Sequence, residues 1–452
     1  MTIIQTARYG MAQEALAIVG GNVLTQTGLI RADVMVEEGI VTAIGLDLDL
    51  PVAAKVINAA GCVVGPGFVD LHTHLREPGK EQAETIATGA RAAALGGYTA
   101  VVAMPNTDPV LDSAFVVRAV LDLGAVSTCE VAVAGAITVG RQGEALSPIA
   151  ELAKLGVQLF TDDGSGVQHG GVARRALDYC RGLGVTYAEH CEDNAIAAGG
   201  VVHEGEWSAK LGLPGQPASA EEAMVARDLL LARELGARLH LLHLSTQGSV
   251  DLVRQAKAAG IKVTAEAAPH HFTLTDATLQ SYDAVFKVNP PLRPDHHVQA
   301  IIQGFLDGTI DAVATDHAPH TKETKDLPFD EAPPGMLGLE TAFSLTYERL
   351  VLGAKMSIEQ LFQVMSTNPA RIAGLDRSGA RPYGHTPHGE LVAVGNVANL
   401  VVVDLDATWT VDGSSFASLA ANTPYEGRVM HGAIRHTVLR GEPVVLEGVA
   451  TR

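Results

Sequence analysis

The chain has 452 residues, 47% of them hydrophobic and 18% charged, which supplies a buried core and excludes a disordered polymer. A formal net charge of −19 with no Lys/Arg run excludes a basic nucleic-acid-binding face, so an anionic substrate must find its cations inside its own site. Cys62, Cys129, Cys180 and Cys191 form no CxxC pair, which argues against a thiolate zinc site or a disulfide framework, and no run of ~18 apolar residues could span a bilayer.

In chain order, the first dozen residues, through Met11 and Ala12, carry no pattern and read as a frayed tail. Short apolar runs then alternate with turn residues at Ala15–Gly20, Val34–Glu37, Ile40–Gly45 and Val56–Ala59, the pattern of antiparallel strands. From about residue 66 the rule changes, and eight short apolar runs alternate with helical patterns. The candidate strands are Gly67–Leu71, Thr99–Met104, Val131–Ala136, Val157–Thr161, Val185–His190, Leu239–His243, Lys262–Ala267 and Asp311–Thr315. Ala83–Leu95, Ala220–Leu235 and Gln247–Ala259 read as helices between them. A doubly wound sheet would want a Gly-rich phosphate loop after a strand; none occurs in that context, and eight βα units favour a closed (β/α)8 TIM-type barrel. The end of the chain returns to strands at Asn399–Asp404, Arg428–Met430 and Thr437–Leu439. The expected organisation is an α/β fold: a barrel over 66–380, and a small composite β-sandwich domain assembled from 1–65 and 381–452.

In such a barrel, side chains converge at the C-terminal ends of the strands, so polar residues there are the informative ones. The first strand runs into Asp70-Leu71-His72-Thr73-His74, whose histidines at i and i+2 point the same way and can share one cation. Asp162-Asp163, Glu189-His190, His243 and Asp316 stand at four other strand ends. One such histidine alone reads as a hydrogen-bonded core residue, but six metal-type residues on five strand ends read as a metal site. Imidazole with carboxylate suits Zn²⁺ better than Mg²⁺ or Ca²⁺. At strand 4 either aspartate can be the ligand, because neighbours on a strand face opposite ways. His270 and His271 are expected on a loop after Pro269 in a supporting role. His169, His203, His296, His297 and His385 are expected at the surface, and Cys191 in packing. His320, four residues past Asp316, can reach a substrate from above. The segment from Thr321 to Gly338 reads equally as a mobile surface loop or as a lid, removable without cost to stability.

Gly67-Phe68-Val69-Asp70-Leu71-His72-Thr73-His74-Leu75-Arg76-Glu77-Pro78-Gly79 resembles the opening signature of the amidohydrolase superfamily in its dihydroorotase form. Met104-Pro105-Asn106-Thr107, Asn289-Pro290-Pro291-Leu292-Arg293 and Ala314-Thr315-Asp316-His317-Ala318-Pro319-His320 resemble that family's later motifs, in the expected order along the barrel. The resemblance implies zinc-dependent, reversible closure of N-carbamoyl-L-aspartate to L-dihydroorotate in de novo pyrimidine biosynthesis, with one or two zinc ions per chain. It implies that His72, His74 and Asp316 hold a first metal, His190 and His243 a second, and Asp163 bridges both. Asp316 would also move the proton. His74, Arg76, Asn106, Asn289, His320 and the backbone at Pro334 and Gly335 would bind substrate. Many relatives bridge the metals with a carboxylated lysine at the end of strand 4; here Leu159-Phe160-Thr161-Asp162-Asp163-Gly164 has no lysine and resembles the bacterial branch with aspartate.

Hydantoinase (dihydropyrimidinase) and allantoinase are rival readings, against which Arg76 speaks, because a neutral ring offers a guanidinium no carboxylate. A non-catalytic paralogue scaffolding a transcarbamoylase is a rival of another class, which the complete set of metal-type residues opposes. The expected partners are the small-molecule substrate, a second copy of the chain as a homodimer, and possible association with a transcarbamoylase. No nucleic acid or membrane is expected, and the expected location is the cytoplasm.

Overall fold

The computed structural model describes residues 14–377 and 386–452. The predicted N-terminal tail, the boundary between 380 and 381, and His385 lie outside the described residues.

Eight short, mutually parallel strands form one sheet: Phe68–Thr73, Tyr98–Ala103, Glu130–Gly135, Leu159–Phe160, Thr186–Glu189, Leu239–Leu241, Val263–Ala267 and Ala312–Val313, hydrogen-bonded in that order. Their runs read as almost unbroken apolar sequence because helices cover one face and the barrel interior the other; the first two strands are buried at every position. The eighth strand meets the first through a parallel bridge between Thr73 and His317 and a bond from His74 N to His317 O. Asp70 completes the seam: its carboxylate accepts from Thr315 N (3.0 Å) and Thr315 Oγ1 (2.5 Å). The sheet thus wraps into the (β/α)8 barrel.

The helices between strands start and stop on local chemistry. Ile86–Leu95 begins at Thr85, whose side chain accepts from Thr88 N while Thr88 bonds back to Thr85 N. Gly67 marks the entry to the barrel, and a Cβ there would lie 2.2 Å from Thr99 Cγ2, so no larger residue fits. Below it Phe68 packs its ring against Tyr98, Phe343 and Phe362, with centroids 5.8, 5.6 and 5.5 Å away.

The two ends of the described chain share a second sheet of nine strands. Leu16–Thr25, Gly28–Glu37, Ile40–Gly45, Lys55–Asn58 and Val63–Pro66 come from the N-terminal side; Leu400–Thr410, Val429–Leu439, Glu442–Leu446 and Val449–Ala450 come from the C-terminal side. The two sets join where Val63–Pro66 pairs antiparallel with Leu400–Val403, and Ile18, Val34, Val64, Leu400 and Val402 meet in a common core. The expectation of purely antiparallel pairing needs correction: Lys55–Asn58 and Val63–Pro66 both run parallel to Leu16–Thr25, because the chain crosses back between Gly45 and Lys55 instead of turning as a hairpin. Arg428–Met430 and Thr437–Leu439 are not separate strands; both belong to Val429–Leu439, whose polar middle (His431, Arg435, His436) hid its continuity. No helix among the described residues is long and apolar enough to cross a membrane.

Candidate metal centre and substrate cavity

His72 lies within the first barrel strand. His74, Asp163, His190, His243 and Asp316 stand one to three residues beyond strand ends, and all six are buried. Asp163 is the hub. Its Oδ1 lies 3.4 Å from His72 Nε2, 3.5 Å from His190 Nδ1 and 3.5 Å from His243 Nε2, and its Oδ2 lies 3.6 Å from His74 Nε2. Asp316 Oδ1 sits 3.1 Å from His74 Nε2 and 3.6 Å from His72 Nε2. Two trios, His72–His74–Asp163 and Asp163–His190–His243, each have the spacing to hold a metal ion and share Asp163. Its neighbour turns elsewhere: Asp162 accepts from Ile137 N (2.8 Å), Thr138 N (3.0 Å) and the Thr138 hydroxyl, and so ties strand 4 to the loop after strand 3.

The donor set fits a metal on three counts. His72 Nε2 is buried without a hydrogen-bond partner and faces the hub. His190 Nδ1 and His243 Nε2 approach to 2.9 Å, a contact that requires a shared proton unless a cation satisfies both lone pairs. Finally, the electrostatics call for positive charge. Burial acts against protonating His72 and His190, yet the surrounding carboxylates lift His72 well above the ordinary imidazole range and His190 to about 10. The same field acts in reverse on Asp163: burial pushes its carboxyl up, but the histidines hold it well below the usual range.

The far nitrogens of these rings are held by groups whose role the sequence did not reveal. His72 Nδ1 donates to Glu266 Oε1 (2.9 Å), and Glu266 Oε2 also takes His240 Nε2 (2.9 Å). His74 Nδ1 donates to Asn106 Oδ1 (2.9 Å), and Glu192 Oε2 lies 3.7 Å from His190 Nε2. Such partners fix which nitrogen would face a metal. Glu266 had a readable signal, a carboxylate on the seventh barrel strand. Glu192, two residues past His190, had none.

Above the metal-type residues lies a cavity of about 220 Å³, lined among others by Arg76, Asn106, Arg141, Asn289, His320 and Pro334. All the predicted substrate-binding residues line it. Arg76 is buried in a left-handed conformation (φ +61°), with Nε bonded to Pro319 O (3.1 Å) and Nη2 3.3 Å from His320 Nε2. Burial lowers its pKa to about 10, which leaves it charged. Asn289 Nδ2 donates to Glu192 Oε2 (2.8 Å). The backbone groups at Pro334 and Gly335 are engaged within the protein: Pro334 O accepts from His320, and Gly335 N donates to Lys287 O. Arg141, unforeseen, bonds Ser165 Oγ (2.8 Å) beside Gly164.

Three expectations need correction. His270 and His271 lie in a short buried helix, Pro269–Thr273, because proline at its first turn starts a helix as readily as it continues a loop. His203 and His297 are buried, not superficial: His203 Nδ1 accepts from Arg293 Nη1, and His297 Nδ1 from Gln247 N. The segment after Thr321 is no expendable loop, since Phe329 and Ala332 are buried against Val202, Leu213, Leu279 and Ala284. Removing it would open a hydrophobic cluster.

A family model described as dihydro-orotase-like matches residues 61–249. A dihydroorotase of Mycobacterium leprae is 49% identical over 415 residues, covering 91% of this chain and 94% of its own. One from Mycobacterium tuberculosis is 49% identical over 427 residues, covering 92% and 96%, and one from Pelotomaculum thermopropionicum is 45% identical over 436, covering 96% and 99%. Among solved structures, an L-hydantoinase (dihydropyrimidinase) from Arthrobacter aurescens superposes with a TM-score of 0.85 at 26% identity, covering 97% of each chain.

Proposed function

The chain belongs to the dihydroorotase family, and from that premise we propose that it interconverts N-carbamoyl-L-aspartate and L-dihydroorotate with zinc held by the four histidines and two aspartates of its buried centre. The observation that carries the reading is the buried guanidinium of Arg76 in the same cavity as those six residues. A neutral hydantoin ring gives that cation nothing to pair with, whereas dihydroorotate carries a carboxylate. The hydantoinase-like architecture is therefore common scaffold, and Arg76 is the residue that favours a charged ring over a neutral one.

His72, His74 and Asp316 would hold one ion, His190 and His243 a second, and Asp163 both. A bound divalent ion supplies Lewis-acid polarisation of the ring carbonyl and an activated water at neutral pH. The protein's own work is positioning and proton transfer. Arg76, with Asn106 and His320 beside it, would seat the carboxylate and so aim the ring carbonyl at the metal-type residues. In hydrolysis Asp316 would accept the attacking water's proton and deliver it to the ring nitrogen as the carbon–nitrogen bond breaks. In cyclisation it would take the proton from the carbamoyl nitrogen as that nitrogen attacks the side-chain carboxyl carbon, and give it to the departing oxygen. Four free, buried cysteines agree with a reducing compartment, so a cytoplasmic location belongs to the same reading, as does a homodimer. Side-by-side assay of dihydroorotate, hydantoin and allantoin, with metals counted by elemental analysis, tests it; preference for an uncharged ring would overturn it.

A further inference from the structure

The cavity wall rests on a buried ammonium whose partners are carbonyl groups. Lys325 ends the short helix Lys322–Lys325 and is 8% exposed. Its Nζ donates to Pro333 O (3.0 Å), Gly335 O (3.0 Å) and Lys287 O (3.4 Å). Burying a charge in this way is costly, and three oriented carbonyls are what offset it. Burial, with Lys287 nearby, draws its pKa down to about 7.

What this arrangement achieves is visible one residue along. In an extended strip, successive carbonyls point to opposite sides. Pro333 and Gly335 face Lys325, so Pro334 between them faces the cavity, where its oxygen lies 2.9 Å from His320 Nε2. The strip lies tight on that ring: a Cβ at Gly335, where φ is +134°, would fall 2.9 Å from His320 Nε2 and 2.6 Å from Ala318 Cβ. A carbonyl can only accept, so His320 Nε2 must carry the hydrogen. Burial and the adjacent Arg76 lower the pKa of this ring to about 3, so it is neutral and Nδ1 keeps a bare lone pair. Arg76 Nη2, 3.3 Å from His320 Nε2, then has no acceptor there and keeps its hydrogens for an anionic ligand.

We propose that Lys325 is a positioning residue for substrate binding: by clamping the carbonyls of Pro333 and Gly335 it aims the Pro334 carbonyl at His320, fixes that ring as the Nε2–H tautomer, and leaves Arg76 free for the substrate carboxylate. The inference rests on the reading of His320 and Arg76 as the substrate wall. Lys325 touches neither substrate nor metal, so its effect passes through His320.

The test is a double-mutant cycle on the zinc-loaded protein, combining Lys325→Met with His320→Ala, with dihydroorotate kinetics and ¹⁵N-histidine NMR. Loss of charge-assisted bonds of this kind should raise KM roughly tenfold in Lys325→Met, with kcat changed less than about twofold. On the His320→Ala background the same change should add less than about twofold, because the residue it acts through is gone. The His320 signal, assigned from His320→Ala, should report Nε2–H in the wild type and a tautomer mixture in Lys325→Met. Unchanged KM with an intact tautomer, or an effect that multiplies fully with His320→Ala, overturns the proposal. Should Lys325→Met fail to fold, Lys325→Gln serves, since its shorter amide cannot span three carbonyls; wild-type KM and tautomer in that variant also overturn it. A wild-type protein inert toward dihydroorotate would sink the functional reading, while the tautomer measurement would still judge the clamp.

Discussion

The floor and the wall of the cavity are built differently. The floor is strand-borne: His72, His74, Asp163, His190, His243 and Asp316 sit at or just past strand ends, so the barrel's ladder fixes their backbones. The wall is loop-borne, and side-chain bonds to backbone carbonyls hold it: Arg76 to Pro319 and Asn422 to Ala318 and Gly335 across long stretches of sequence, and Lys325 to Pro333 and Gly335 within its own segment. Strain collects where the two meet. Arg76, His243 and Asp316 all hold positive φ (+61°, +31° and +48°), a conformation costing of order 1–3 kcal/mol each that persists only where the surroundings impose it. A floor fixed by the barrel suits chemistry that tolerates no misplacement, and a wall of polar side chains suits selection among related rings.

If that division holds, floor substitutions abolish and wall substitutions grade. Asp163→Ala should cause the largest loss. It removes the one carboxylate that all four histidines face, so metal content should fall and activity disappear by elemental analysis and assay. Retention of both metals with normal turnover would move the hub elsewhere. Asp316→Asn should keep part of the metal yet lose the proton carrier, costing roughly 10²–10⁴ in kcat. A near-normal rate with an unchanged pH profile would assign the proton to another group.

The wall should respond less. Arg76→Ala removes one charge-assisted contact worth about 1.5–3 kcal/mol, so kcat/KM for dihydroorotate should drop roughly tenfold to a hundredfold. An uncharged hydantoin should be little affected. Equal loss on both substrates would mean that the bond from Arg76 to Pro319 O is structural and that the wall does not select.

The same division explains what could be read in advance. The HxH pair was legible because a strand's period of two puts both rings on one face, and the barrel because eight apolar runs recur between helical patterns. The choice between Asp162 and Asp163 was not legible from spacing: the pleat sends one each way, and only the family pattern pointed to Asp163. His203 and His297 misled because each is buried against a group far along the chain, His203 with Arg293 90 residues away and His297 with Gln247 50 residues away, and no local pattern encodes such meetings. Lys325 was visible only as one charge in a charged segment, since its partners are backbone carbonyls and leave no trace in composition.

Asp162 offers a smaller test that separates ligand from brace. Asp162→Ala leaves buried donors on Ile137 and Thr138 unsatisfied, a cost of about 1–3 kcal/mol, so thermal stability should fall while metal content stays near normal. Loss of metal with stability intact would reverse the roles of the two aspartates.

The smallest expected effect is none. A carboxylated lysine forms by reaction with CO₂, so a centre that uses one can depend on bicarbonate during reconstitution. Here the residue facing the histidines is Asp163, and the residues lining the cavity include no lysine. Apoprotein prepared with a chelator and given Zn²⁺ alone in CO₂-depleted buffer should therefore recover the same activity as with added bicarbonate. Aspartate is also several bonds shorter than a carboxylated lysine, so it reaches less far into the barrel mouth. The trio of His190 and His243 gains no second carboxylate comparable to Asp316, so its ion should be the weaker of the two. Stepwise titration of zinc into the apoprotein should show two unequal affinities, and His243→Ala should delete only the weaker. A bicarbonate requirement would show that a lysine reaches the centre. Two equal affinities would show that Asp163 serves both trios alike, and that the floor is more symmetric than its ligands.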